Sequence, residues 1–259
     1  MNRTRIVSLA GGVIFAVLQL FGAAPDIQAA KSKLQAGINT WSLETLKEAR
    51  DMFIECLMKD KTQDAYLLYY VALADYRLTV FSFSSGDSAE AERYYTEGQQ
   101  YLEKVMALDP ALGEAFALYG YLLGMELALH PDRAMALGPK SFEYFDQAME
   151  KDPSNPRVFL LKGIYQLYVP EAYGGGPASA LEFLEKAASL FEKETVADPI
   201  KPSWGKDEAY AYLGMVYKKK NELAKAREML MKALAVNPDF GLAKSELAAM
   251  EKKDSTLTL

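Results

Sequence analysis

Reactive and metal-binding residues are scarce in this chain of 259 residues, which has one cysteine, one histidine and two tryptophans. Cys56 has no second cysteine to pair with inside the chain, and its place in Phe53-Ile54-Glu55-Cys56-Leu57 is that of a core thiol. His130 stands before Pro131, with no further histidine or cysteine at ligand spacing, which argues against a zinc site. No Ser–His–acid motif surrounds it, and no G-x-x-x-x-G-K-[ST] loop occurs. Basic residues form no cluster that could follow a phosphate backbone, and the net charge of −6 argues against nucleic acid as a partner. Catalytic, cofactor and metal motifs are all missing, so the expected class is a non-enzymatic protein without a cofactor.

The early apolar run is also too short for a comfortable membrane span. Ile6 to Phe21 would reach ~24 Å as a helix against a hydrocarbon core of ~30 Å. Arg3 and Arg5 precede it, and Pro25 and Ala29-Ala30 follow, so residues 1–29 read as a secretory signal peptide cleaved near Ala29. The expected location is periplasmic, with membrane attachment only if that segment is retained. No cysteine lies nearby to take a lipid. Loss of Arg3, Arg5 and Asp26 leaves 27 basic and 34 acidic side chains.

What the chain has in quantity is apolar and aromatic surface: half of its residues are hydrophobic, and sixteen are tyrosines. Residues 207–240 show the clearest pattern. Tyr210, Leu213, Gly214 and Tyr217 share one helical face. Gly214, Ala226 and Ala233 lack bulk, so two antiparallel helices can approach to about 8–10 Å. Pro238 has no amide hydrogen and stops the second helix. This 34-residue stretch resembles a tetratricopeptide (TPR) repeat in its aromatic, aliphatic and small positions and in its closing proline.

Weaker copies lie upstream. Pro110 and Pro153 close helices carrying Leu102 and Val105, or Phe145 and Ala148, at the offsets of Leu230 and Ala233. Ala72, Gly120 and Gly163 supply the small residue of the preceding helices. The resemblance implies an all-α, right-handed α-solenoid of TPR-like hairpins over 63–112, 113–155, 156–200 and 207–240. Capping helices are expected over 30–62, with Ser42 as a helix cap, a solvating helix over 241–254, and a disordered tail over 255–259. The early units carry extra residues between their paired helices, with turns expected at Phe81–Asp87 and His130–Pro139.

TPR proteins generally bind along the concave face of their first helices. Mapped onto this chain, that spacing selects Tyr66, Tyr69, Tyr76, Arg77, Tyr121, Met125, Arg157, Leu160, Ile164 and Tyr168. The loop Glu171, Tyr173, Gly174, Gly175 and Gly176 is the other candidate, together with Trp204, either packed over a helix or exposed as an anchor. The resemblance implies a scaffold or adaptor binding a protein or peptide partner in its groove. The alternative is a binder of an apolar small molecule, similar to the T-component of tripartite (TRAP) transporters.

Overall fold

In the computed structural model, residues 26–60 and 64–257 are described, and the expected signal segment before Asp26 lies outside them. Helices α1 (Ile27–Thr40) and α2 (Leu43–Lys59) form a first hairpin, and α3 (Ala65–Ser84) and α4 (Ser88–Leu108) a second. Then come α5 (Gly113–Leu129) with α6 (Ala134–Lys151), α7 (Pro156–Tyr168) with α8 (Pro177–Phe191), and α9 (Lys206–Lys219) with α10 (Leu223–Val236). α11 (Gly241–Leu257) ends the row. The chain is an α-solenoid, with five hairpins among the described residues because the expected capping helices form a hairpin of their own.

Short polar residues start these helices by accepting the first free amides. Ser42 accepts from the Thr45 amide, Asp64 from Tyr66, Asp87 from Glu90 and Asn155 from Arg157. Asp26 caps α1 through the Gln28 amide, so this helix begins before the expected cleavage point at Ala29.

Within hairpins, small residues set the approach. A Cβ on Gly214 would lie 2.7 Å from Leu230 Cγ, and one on Gly163 2.7 Å from Leu184 Cγ. The offsets read from the repeat hold, because Leu102, Val105, Phe145, Ala148, Leu230 and Ala233 are all fully buried. Three boundaries differ from expectation. α3 runs on through Phe81 to Ser84, and α6 begins at Ala134, so Pro139 lies inside a helix. The extra residues therefore lengthen helices more than turns. α11 continues to Leu257 through part of the expected tail, since no proline or glycine stands there to stop it.

The row curls until its ends meet. A Cβ on Gly241, at the start of α11, would lie 2.4 Å from the Asn39 carbonyl oxygen of α1. The Asn237 side chain donates to Asn39 at 2.8 Å and to Asp207 at 2.6 Å. First helices α3, α5, α7 and α9 thus face one another across the inside of the curve. That explains why α3 and α5 bury residues all round their circumference, while α4 and α6 bury one stripe.

Candidate functional site

The inner face is where sequence spacing placed a groove, and in this structure it is filled. Tyr69, Tyr76, Arg77, Tyr121, Met125, Arg157, Leu160 and Ile164 are all buried, and Tyr66 is half-buried. Only Tyr168, at 61% exposure, is open to solvent. Curvature is the cause: side chains that would line an open groove on a straighter row meet each other here. Tyr76 and Tyr121 pack edge to face with centroids 4.9 Å apart. Arg77 of α3 makes a bidentate pair with Glu208 of α9, at 2.7 and 2.5 Å.

A loop adds to the filling. Connections from one hairpin to the next are five residues over 60–64 and four over 109–112, 152–155 and 237–240, but fourteen over 192–205. A loop of that length in a compact row is unusual unless it has a task. It crosses the inner side of α1, α3 and α7. Glu194 receives Arg157 at 2.6 and 3.0 Å. The Lys31 ammonium donates to the Pro199 and Lys201 carbonyls, both at 2.9 Å, and Gln28 donates to Pro199 at 2.6 Å. The Tyr70 hydroxyl donates to the Ile200 carbonyl at 2.9 Å.

Trp204 ends the crossing. Of the two expected positions, the exposed one is excluded: at 9% exposure the side chain is inserted into the inner face. The indole lies between two buried guanidinium groups, Arg77 at 4.9 Å and Arg157 at 5.9 Å from the ring centre. The Trp204 Nε1–H donates to the Tyr69 hydroxyl at 3.0 Å, and that hydroxyl donates to Glu114. Glu114 also receives Asn155 at 3.1 Å and faces Arg157.

Burial pushes the Tyr69 phenol well above its ordinary pKa, and Glu114 adds to the rise. Burial also raises the Glu114 carboxyl, with Arg157 drawing it back. For Arg77, burial opposes the charge but the Glu208 carboxylate outweighs it, so the guanidinium stays protonated. Arg77 with Glu208, and Arg157 with Glu114 and Glu194, each set a buried guanidinium beside opposite charge, and removing one partner of such a pair is costly.

Between the loop and the helices a half-open cavity of about 350 Å³ remains. Tyr66, Glu114 and Arg157 of the helices with Asp152 and Asn155 of the α6–α7 connection form one wall, and Glu194 to Asp198 with Lys201 and Pro202 form its loop wall. Two expected groove residues, Tyr66 and Arg157, therefore border open space.

The second candidate, the α7–α8 turn, is exposed. Tyr173 is 76% exposed. Gly174 and Gly176 take φ of 81° and 93°, the left-handed region that favours glycine. Gly175 has no room for a Cβ, which would lie 2.1 Å from the Val169 carbonyl oxygen. The Glu171 side chain lies against Gly176 at the start of α8, where a Cβ would come within 2.5 Å of Glu171 Cγ.

Elsewhere, Cys56 is buried and His130 Nε2 lies 3.6 Å from Glu92 in the α5–α6 turn. Among the described residues no group of three or more potential ligands could hold a metal ion, and no helix is long and apolar enough to cross a membrane. Sequence reading did not find Lys31, Tyr70, Glu194 or Glu208 as part of this site. The available signal was the loop itself, Glu192 to Gly205, with two prolines and a tryptophan between two helical patterns.

The tetratricopeptide repeat family matches residues 207–240. Among solved structures, the HusA haemophore from Porphyromonas gingivalis is 25% identical with a TM-score of 0.63, covering 76% of this chain and 96% of that one. A thermophilic TPR protein from Thermus thermophilus is 18% identical with a TM-score of 0.55, covering 86% of this chain and 99% of that one. No match is found among curated proteins. The chain is a TPR-containing α-solenoid, with its clearest repeat at residues 207–240.

Proposed function

We propose that this chain is a non-enzymatic, extracytoplasmic scaffold that holds a non-helical segment of a protein partner along the inner face of its hairpins. The observation that carries the reading is that this face already holds a non-helical segment, residues 192–205, through side chains of α1, α3 and α7. Backbone carbonyls received by side chains, one charged pair and one buried aromatic anchor are what peptide recognition ordinarily uses. Export is supported by Arg3, Arg5, the run from Ile6 to Phe21 and Ala29-Ala30. N-terminal sequencing of the secreted chain should begin near Ala30; a chain retained in the cytoplasm with Met1 in place overturns the export reading.

The test of the groove uses residues that border the cavity without being fully buried. Tyr66→Ala combined with Asp152→Ala should release a partner cross-linked in the native envelope. Tyr168→Ala combined with Tyr173→Ala, on the exposed α7–α8 edge, should leave it bound. The opposite pattern moves the site to that edge.

A second reading follows from the likeness to a haemophore, which makes a flat apolar ligand the alternative occupant of an aromatic interior. Titration with haemin separates the two. A saturable one-to-one change in the haemin absorbance, lost on Trp204→Ala, favours the small-molecule reading; no change leaves the peptide reading standing.

A further inference from the structure

We propose that the 192–205 loop is a built-in occupant of the groove, and that the partner is a non-helical acidic peptide of the same pattern which must displace it. This rests on the groove reading above. The pattern is legible in what the loop places inward. Glu194, Ile200, Pro202 and Trp204 are buried or half-buried, while Glu192, Lys193, Thr195 to Pro199, Lys201 and Ser203 are exposed. A segment held by a few inward side chains, with its outer side in water, is bound as a ligand is bound.

The fixed points define the partner. A carboxylate must stand where Glu194 meets Arg157. An indole or similar ring must follow ten residues later, where Trp204 lies between Arg77 and Arg157. Carbonyls without competing helix bonds must lie between them to receive Lys31, Gln28 and Tyr70; in the loop a turn at Asp198–Lys201, closed by the Lys201 amide on the Asp198 carbonyl at 3.1 Å, presents them. The fit is incomplete, because the cavity of about 350 Å³ lies along the Glu194–Asp198 part of the crossing. A partner with larger side chains there would gain contacts that the loop does not make, which is the difference needed to displace a tethered competitor.

The experiment uses a fluorescently labelled synthetic peptide of residues 192–205 and the full chain, read by anisotropy. The wild-type chain should bind it weakly, because its own loop is present at high effective concentration. Trp204→Ala in the chain removes the loop's anchor and should raise peptide affinity at least tenfold. Glu194→Gln in the chain, which keeps Trp204 and the core intact, should raise it severalfold. Peptides carrying Trp204→Ala or Glu194→Gln should lose the gain. Equal binding by wild type and Glu194→Gln, or equal binding of the altered peptides, overturns the proposal whether or not Trp204→Ala folds. The outcome is separable from the groove test. If Tyr66→Ala with Asp152→Ala releases the native partner while loop variants change nothing, only this inference falls. If loop variants behave as stated but that pair retains the partner, the groove reading falls instead.

Discussion

Trp204 donates its indole N–H to the Tyr69 hydroxyl across 3.0 Å, linking the end of a long loop to the first turns of α3, 135 residues earlier. Neither residue is needed to make a hairpin. Together they close the inside of the solenoid.

Trp204→Ala should cost about 3–5 kcal/mol, as expected for a large aromatic removed from a packed site. Trp204→Phe should cost less, because it keeps most of the apolar contact and loses only the donor to Tyr69. Denaturant midpoints measure both, and equal costs would mean that the hydrogen bond, not the packing, holds the loop. Trp204 emission in a Trp41→Phe background should be that of a buried indole and shift red when the loop is released; Trp41 is 44% exposed and would obscure it.

The Arg77–Glu208 pair is buried on both sides. Arg77→Ala leaves a buried carboxylate without its partner and should destabilise by about 3–5 kcal/mol. Replacing both by methionine should cost less than the single change. A double variant as unstable as Arg77→Ala would show that the pair's value lies in its shape.

At the last hairpin, Gly214→Leu should overpack the seam against Leu230 and cost ~1–3 kcal/mol. An unchanged midpoint would mean that the two helices separate without penalty.

Lys162 is buried beneath aromatic rings, with Phe142 at 4.3 Å and Phe145 at 4.8 Å from its ammonium. Burial lowers it to about 8 from an ordinary 10.5. Between those values the unfolded chain keeps a proton that the folded chain has released, so this residue makes stability rise with pH across that window. Below it both states are protonated and the full penalty applies. Lys162→Met should therefore remove that part of the rise and add on the order of 1–3 kcal/mol at neutral pH. A difference between variant and wild type that does not vary from pH 7 to 11 would contradict this.

Hairpins were legible in the sequence because their determinants are local and repeated. Gly214 with Leu230, or Gly163 with Leu184, needs only a helix period and a turn between them. Caps such as Ser42 were legible for the same reason. The state of the groove was not. Whether Tyr76 and Tyr121 line a channel or touch depends on how far the row curls, and small rotations between successive hairpins accumulate into that. Arg77 was picked out as a groove cation, but its partner Glu208 lies 131 residues away and no spacing rule connects them. For Trp204 the sequence leaves open whether it packs over a helix or stands exposed, because a residue in a non-periodic loop carries no face.

The contact between Asn39 and Gly241 has a consequence for how the molecule comes apart. Repeat rows ordinarily fray from either end, since each unit leans only on its neighbours and the terminal ones lean on one. Here, among the described residues, the first and last helices lean on each other, so neither is a free end at which fraying would begin. Loss of α11 would unseat α1 at the opposite end of the chain, and heat or denaturant should take the whole row in a single cooperative step.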